Sequence, residues 1–213
     1  NFASFELFDG TDIKLEQNNS DYGLVGFFAR VNYSLFNRYI FELSARYDGS
    51  SKFPTSQQWG FFPSASVGWR VDQEPWMKWS KSWLDNFKLR GNFGSLGNGA
   101  ISPYTFMELM EVNVTSVPFN GVAVNYTTVP TPVPSELTWE TITTYDIGLD
   151  ADFLKSRLSF SGDYYWKHTT DIITNGPALP NLYGASSPKG NYAAMLTKGW
   201  EVTLSWRDAV KLG

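Results

Sequence analysis

Apolar and polar positions alternate with a period of two through most of the chain. In 24–36, "LVGFFARVNYSLF", Val25, Phe27, Ala29, Val31, Tyr33 and Leu35 stand against Gly26, Phe28, Arg30, Asn32 and Ser34. After a tight break at 36–38, Tyr39, Phe41, Leu43, Ala45 and Tyr47 alternate with Ile40, Glu42, Ser44, Arg46 and Asp48. Phe61, Pro63, Ala65, Val67, Trp69 and Val71 then oppose Phe62, Ser64, Ser66, Gly68 and Arg70, and Phe87, Leu89 and Phe93 oppose Lys88, Arg90 and Asn92. The same pattern returns in "ETITTYDIGLDADFL", "LSFSGDYYWK" and "GWEVTLSW". A period of two predicts β-strands with two unlike faces, one apolar and aromatic, the other small, polar or charged.

The connections carry more information than the strands. In order they are 36–38, 48–60, 72–86, 95–138, 154–157 and 168–197. Tight or compact connections alternate with long ones. Successive connections of an antiparallel meander fall at opposite ends of the sheet. One end is therefore tidy and the other carries large loops, the asymmetry of an outer-membrane β-barrel. Within 72–86, "DQEPWMKWSKSWLDN" predicts a short Pro-initiated helix. A hairpin is expected around 119–124 inside the longest loop.

The fold class that follows is all-β: an antiparallel meander of about seven to eight strands, part of a larger transmembrane β-barrel, with long loops at one end. Val25, Phe27, Val31, Phe41, Leu43, Ala65, Val67, Leu89, Ile147, Leu149, Phe160, Val202 and Leu204 are expected to face lipid. Arg30, Glu42, Arg46, Arg70, Lys88, Arg90, Asp146, Asp150, Asp163 and Glu201 are expected to face a wet lumen. The alternative is a half-buried sheet in a secreted β-sandwich adhesin or carbohydrate-binding module, which alternates as well.

Composition narrows the chemistry. Among 213 residues there is no Cys, so disulfide frameworks, Cys-based metal sites and thiol nucleophiles are excluded. The aromatic share of 17% suits strands or a lipid interface. A formal charge of -4 without a basic stripe argues against nucleic acid as a partner. No apolar run is long enough for a transmembrane helix, which leaves barrel strands open. The chain begins "NFASFELFDG" and stops at "WRDAVKLG" just after a strand pattern, so residues 1–213 are expected to be a fragment of one barrel domain.

Candidate chemistry is sparse. "GNFGSLGNGAISPY" is glycine-rich but lacks the following helix that a dinucleotide loop requires. The carboxylates have no calcium-loop or paired-acid pattern, and His168, the single histidine, has no second ligand, so no catalytic residue, metal or cofactor is expected. Trp76, Trp79 and Trp83 recur as an interfacial anchor. Loop aromatics are the candidates for ligand contact: Phe53, Trp59, Tyr104, Phe106, Tyr126, Tyr183 and Tyr192. Rings stack on sugar faces while neighbouring amides and carboxylates bond hydroxyls.

"FFARVNYSLFNRYIFELSARYDGSSKF", "WGFFPSASVGWRVDQEPWM", "LDNFKLRGNFGSLGN", "LTWETITTYDIGLDADFLKSRLSFSGDYYWKHTTDII" and "TKGWEVTLSW" together resemble SusC/RagA-type TonB-linked outer-membrane transporters. The likeness runs from about residue 24 to 206, and not through most of 100–136. It implies a barrel of about twenty-two strands with an N-terminal plug. It also implies a SusD-like surface lipoprotein as partner and energy from a TonB complex. The implied cargo is a glycan or peptide, taken up in the outer membrane of Bacteroidota-like bacteria. The plug and the TonB-contacting segment would lie outside this chain.

Overall fold

A computed structural model of the protein describes residues 19–110, 112–114, 121, 124–128, 130, 132–134, 137–180, 182, 184 and 187–208. The strands are β1 (Leu24–Leu35), β2 (Tyr39–Ser50), β3 (Trp59–Arg70), β4 (Leu84–Asn98), β5 (Val112–Val114), β6 (Asn125–Thr127), β7 (Glu140–Phe153), β8 (Leu158–Asn175) and β9 (Lys189–Trp206). Seven of them form one antiparallel meander in the order β1-β2-β3-β4-β7-β8-β9, while β5 and β6 make a separate small hairpin. Among the described residues the sheet is open, a curved arc with β1 and β9 at its edges.

Cross-strand register keeps the two faces apart across the whole arc. Tyr33, Phe41, Val67, Gly91, Ile147, Tyr164 and Trp200 stand opposite one another in sequence, strand by strand. All the residues expected on the apolar face share this face. Among the described residues it is covered only at the tight-turn end, by the connection after β3, and is otherwise bare: Leu43 is 61% exposed, Ile147 60% and Leu204 68%. A soluble sandwich would bury such a face against a second sheet. Here the uncovered apolar surface, rimmed by rings, is what a strand array meeting hydrocarbon requires. At the long-loop end Trp59 stacks on Tyr47 at 4.9 Å, and further along the same face Tyr145 stacks on Trp166 at 5.4 Å. At the other end Tyr39 stacks on Trp69 at 6.5 Å and Trp83 on Phe153 at 6.0 Å. Amphipathic rings at both borders of an apolar band are favoured at membrane–water interfaces.

The tight turns gather at one end. At 36–38, Arg38 N–H donates to the Leu35 carbonyl at 3.0 Å, with Phe36 and Asn37 both at positive φ. Positive φ at both central residues gives this turn a twist that matches its strands. The compact connection is two 3₁₀ turns, Val71–Gln73 and Pro75–Ser82, where the sequence predicted one short helix. It folds back so that Met77 and Val71 pack with Leu84 and Ala151, against Phe87 and Phe153.

Glu74 fastens this segment. Its carboxylate accepts hydrogen bonds from Tyr39 Oη at 2.8 Å and Trp69 Nε1 at 3.0 Å, and pairs with Arg38 at 3.3 Å. The Trp69 bond first, then the Tyr39 bond, holds the Glu74 carboxyl below its ordinary pKa. A depressed carboxyl contributes stability above the unfolded value, about 4.3, and loses it as pH falls through the lower folded value. Tryptophan fluorescence of the full-length protein in detergent should therefore change below about pH 4.3 as the segment loosens. Glu74→Gln should remove that transition. An unchanged transition in the variant would mean that Glu74 does not fasten the segment.

One connection is shorter than the sequence predicts. Residues 168–197 read as a long loop, yet β8 runs to Asn175 and β9 starts at Lys189, leaving 176–188 between them. The pairing shifts register between Thr169 and Ile172 and again at Ile173, and Asp171 takes a φ of 57°. A bulge of this kind breaks the period of two, which is why alternation did not reveal the strands. His168, the first residue of the predicted connection 168–197, is an exposed position within β8 opposite Thr143 and Leu196. The expected hairpin around 119–124 has its strands outside that span, at β5 and β6.

Candidate functional site: the polar face and the loop end

The face opposite the apolar one carries all ten charged residues singled out above, because each sits an odd number of positions from the apolar set in a continuous register. Arg90 of β4 is the centre of their densest cluster. Its Nε lies 2.9 Å from Asp150 Oδ2 and its Nη2 2.8 Å from Asp163 Oδ1. Ser161 Oγ donates to Asp150 Oδ1 at 2.9 Å. Gly148, between Arg90 and Asp163, leaves room for this: a Cβ there would stand 2.9 Å from the guanidinium carbon. Around the cluster, Asn92 donates to Asp146 at 2.7 Å and Asn86 to Asp152 at 3.1 Å. Further along the arc Arg30 pairs with Glu42 at 3.6 Å and Arg46 with Asp48 at 3.1 Å.

These pairs are partly solvated, so each contributes roughly 0–1 kcal/mol to stability. Their chemical effect is a face of donors and acceptors with the chemistry to bind polar solutes. Glu201 lies opposite Asp163, outside the ion pairs of the cluster, and Arg70 lies opposite Lys88. Among the described residues, no group of three His, Asp or Glu side chains could hold a metal ion. No helix among them is long and apolar enough to cross a membrane, which says nothing of strands.

At the long-loop end the connections share a small core. Phe53 and Leu137 are fully buried there with Phe62, Ile101 and Trp139. Trp139 Nε1 donates to the Gln58 carbonyl at 3.0 Å, so the connection after β2 is tied to the one before β7. Asn191 makes the matching tie to β9, accepting from Thr138 N–H at 2.9 Å and donating to the Thr138 carbonyl at 3.0 Å. Beside this core a cleft of about 680 Å³ opens between the loop following β4 and the β8–β9 hairpin, lined by Tyr104, Met107, Pro132, Asn175 and Ser187 among others.

The aromatic candidates are dispersed by this arrangement. Phe53 is a correction: it is 0% exposed and packs inside its own loop, ring centroid 4.9 Å from Trp139, so it is not presented to a ligand. Trp59 is another. It begins β3 on the apolar face, opposite Gly49, and belongs to the ring border there. Phe106 leans half-buried on the loop core. Tyr104 lines the cleft and Tyr126 is exposed on β6. Tyr192 is half-exposed, its ring lying over Gly176 and Gly190 where a Cβ would stand 3.0 and 2.8 Å away. Tyr183 lies outside the described residues.

Sequence reasoning missed Phe28. It is 84% exposed on the polar face, opposite Arg46 and next to the Arg46–Asp48 pair. The signal was present: a ring in a strand whose other residues on that face, Gly26, Arg30, Asn32 and Ser34, are small, polar or charged. A second cleft of about 400 Å³ lies nearby, lined by Tyr22, Gly26, Arg46, Asp48, Lys52 and Asn98.

A charged face, an uncovered apolar face and long connections at one end are together the anatomy of a barrel wall. The sequence matches the family model "TonB dependent receptor-like, beta-barrel" over residues 2–213. The chain belongs to the TonB-dependent receptor β-barrel family. TonB-dependent receptor P26 of Formosa agariphila is 33% identical over 96% of the chain, which covers 20% of that protein. TonB-dependent receptor SusC of Bacteroides thetaiotaomicron is 37% identical over 71% of the chain and 15% of its own length. The chain thus spans about a fifth or less of these relatives. Among solved structures, the RagAB peptide importer in its closed-closed state superposes with a TM-score of 0.79 at 25% identity, over 90% of the chain and 20% of that one. The siderophore receptor PirA from Acinetobacter baumannii, at 18% identity and a TM-score of 0.55, shares the fold. In this receptor family the seven-stranded arc is therefore a sector of a larger barrel, and the RagAB and SusC likenesses place it near that branch.

Proposed function

We propose that this chain is a wall sector of an outer-membrane transporter that imports a glycan or peptide too large for simple pores. Its polar face lines the lumen and its apolar face meets outer-membrane lipid. The long connections emerge outside the cell, beneath a SusD-like surface lipoprotein. A TonB complex drives uptake through parts of the protein beyond this chain. The observation that carries this reading is the segregation of charge and apolar surface to opposite faces, combined with loop length sorted by end. The membership in the receptor family and the likeness to SusC and to the RagAB peptide importer support it.

In this reading ligand contact falls to the loop-end half of the polar face. Phe28 supplies a stacking ring and Arg46 and Asp48 supply hydrogen bonds beside it, with Tyr104 and Tyr126 on the loops above. Rings next to paired donors and acceptors suit sugar and peptide cargo alike.

The topology is tested by thiol labelling of intact cells, since the chain has no cysteine of its own. In the full-length receptor, Ser56→Cys and Leu182→Cys should react with an impermeant maleimide, and Asn37→Cys should not. Ser56 is exposed in the connection after β2, Leu182 is exposed after β8, and Asn37 lies in the opposite hairpin turn. Labelling confined to Asn37 would invert the sheet and end this assignment.

A further inference from the structure

The 3₁₀ segment Pro75–Ser82 has a periodicity that the wall of a barrel does not need. Three residues per turn place side chains at i and i+3 on one ridge. Met77 and Ser80 form the buried ridge, at 9% and 1% exposure, with Met77 docked on the cluster that includes Ala151 and Phe87. Ala151 and Phe87 stand opposite each other on the apolar face, so the segment lies on the outside of the arc, at its tight-turn end. Trp76 and Trp79 form a second ridge, 58% and 69% exposed, and Lys78 and Lys81 an exposed third. The lysine ridge thus neighbours the indole ridge along the segment, at the edge of a surface that hydrocarbon would cover.

We propose that this ridge pair binds the headgroup of an anionic phospholipid in the periplasmic leaflet. The site rests on the barrel orientation proposed above. The indoles are seated at headgroup depth, where an amphipathic ring is favoured, and the two lysines meet the phosphate. Charge complementarity selects the occupant: two cations with no carboxylate on the free ridges of the segment, continuous with an apolar band that takes the acyl chains. Glu74, the carboxylate packed against the segment, is already engaged by Tyr39, Trp69 and Arg38. Asp72, at its start, lies 3.7 Å from Arg70, and Asp85, just beyond it, accepts from Ser156 N–H at 2.9 Å.

The test uses the full-length receptor in lipid nanodiscs and native mass spectrometry, with phosphatidylglycerol, phosphatidylcholine and lipid A as probes. The wild-type receptor should retain phosphatidylglycerol over phosphatidylcholine, and Lys78→Gln with Lys81→Gln should reduce that preference on the order of tenfold. Trp76→Ala with Trp79→Ala should weaken retention of both phospholipids. Heat-modifiable migration on gels checks that each variant still holds a folded barrel. Equal retention by wild type and the double lysine variant, with both folded, would overturn the lipid site while leaving the barrel reading intact. Selective retention of lipid A would also overturn it, because the segment would then face the outer leaflet. Failure of the folded wild-type receptor to enter nanodiscs at all would overturn both.

Discussion

A full-length receptor carrying Ala65→Arg should assemble poorly, while one carrying Ser66→Arg should assemble normally. The two residues are neighbours on β3 and point to opposite faces. Ala65 lies between Leu43 and Phe93 on the apolar face, midway between the Trp59 and Trp69 borders. Ser66 lies between Glu42 and Asn92 on the polar face. A cation facing lipid near the bilayer midplane costs roughly 2–4 kcal/mol. On the polar face proposed to line the lumen, the same cation beside Glu42 costs nothing comparable. Urea unfolding in lipid vesicles would read the difference directly, and the yield of heat-modifiable barrel in cells would follow it. Equal stability of the two variants would refute the assignment of these faces, since shape and helix or strand propensity of the introduced residue are the same in both.

Phe53→Ala should release the loop end without unfolding the wall. Phe53 is fully buried, against Trp139, in a core that joins the connections after β2 and before β7. Truncating a buried Phe to Ala costs about 3–5 kcal/mol, from lost transfer free energy and the cavity left behind. The sheet itself is held by its cross-strand pairing, so the loss falls on the local unit. Protease added to intact cells should cleave within 99–139 on the order of a hundredfold faster than in wild type. The urea midpoint of the barrel should stay close to that of wild type, and Phe53→Leu should recover most of the protection. Unchanged cleavage would show that this core does not hold the loops.

The strands and their two faces were legible in the sequence because a period of two is a local property. Each residue's face follows from its parity along an extended chain, and parity is also what sorted the loops by end. Trp69, Phe41 and Val67 could be assigned together without knowing which strands neighbour β3. The stretch after His168 was not legible for the same reason, since the bulge at Asp171 resets parity and hides two strand extensions. The resemblance carried by several blocks supplied the family, which alternation alone left open against a soluble sandwich.

Only the tertiary structure decided which side chains meet. Arg90, Asp150 and Asp163 come from three strands, and Gly148 makes the space in which they join. Glu74 reads as an ordinary charged residue of a connection, yet it accepts from two rings on the outer face. Phe53 and Trp59 look alike in the sequence, aromatics in one polar loop, and the fold sends one into a core and the other to the apolar border. The fate of Phe53 depends on Trp139, far along the chain, and no local pattern encodes a contact at that separation. Sequence periodicity determined the wall; packing between distant connections determined its ends.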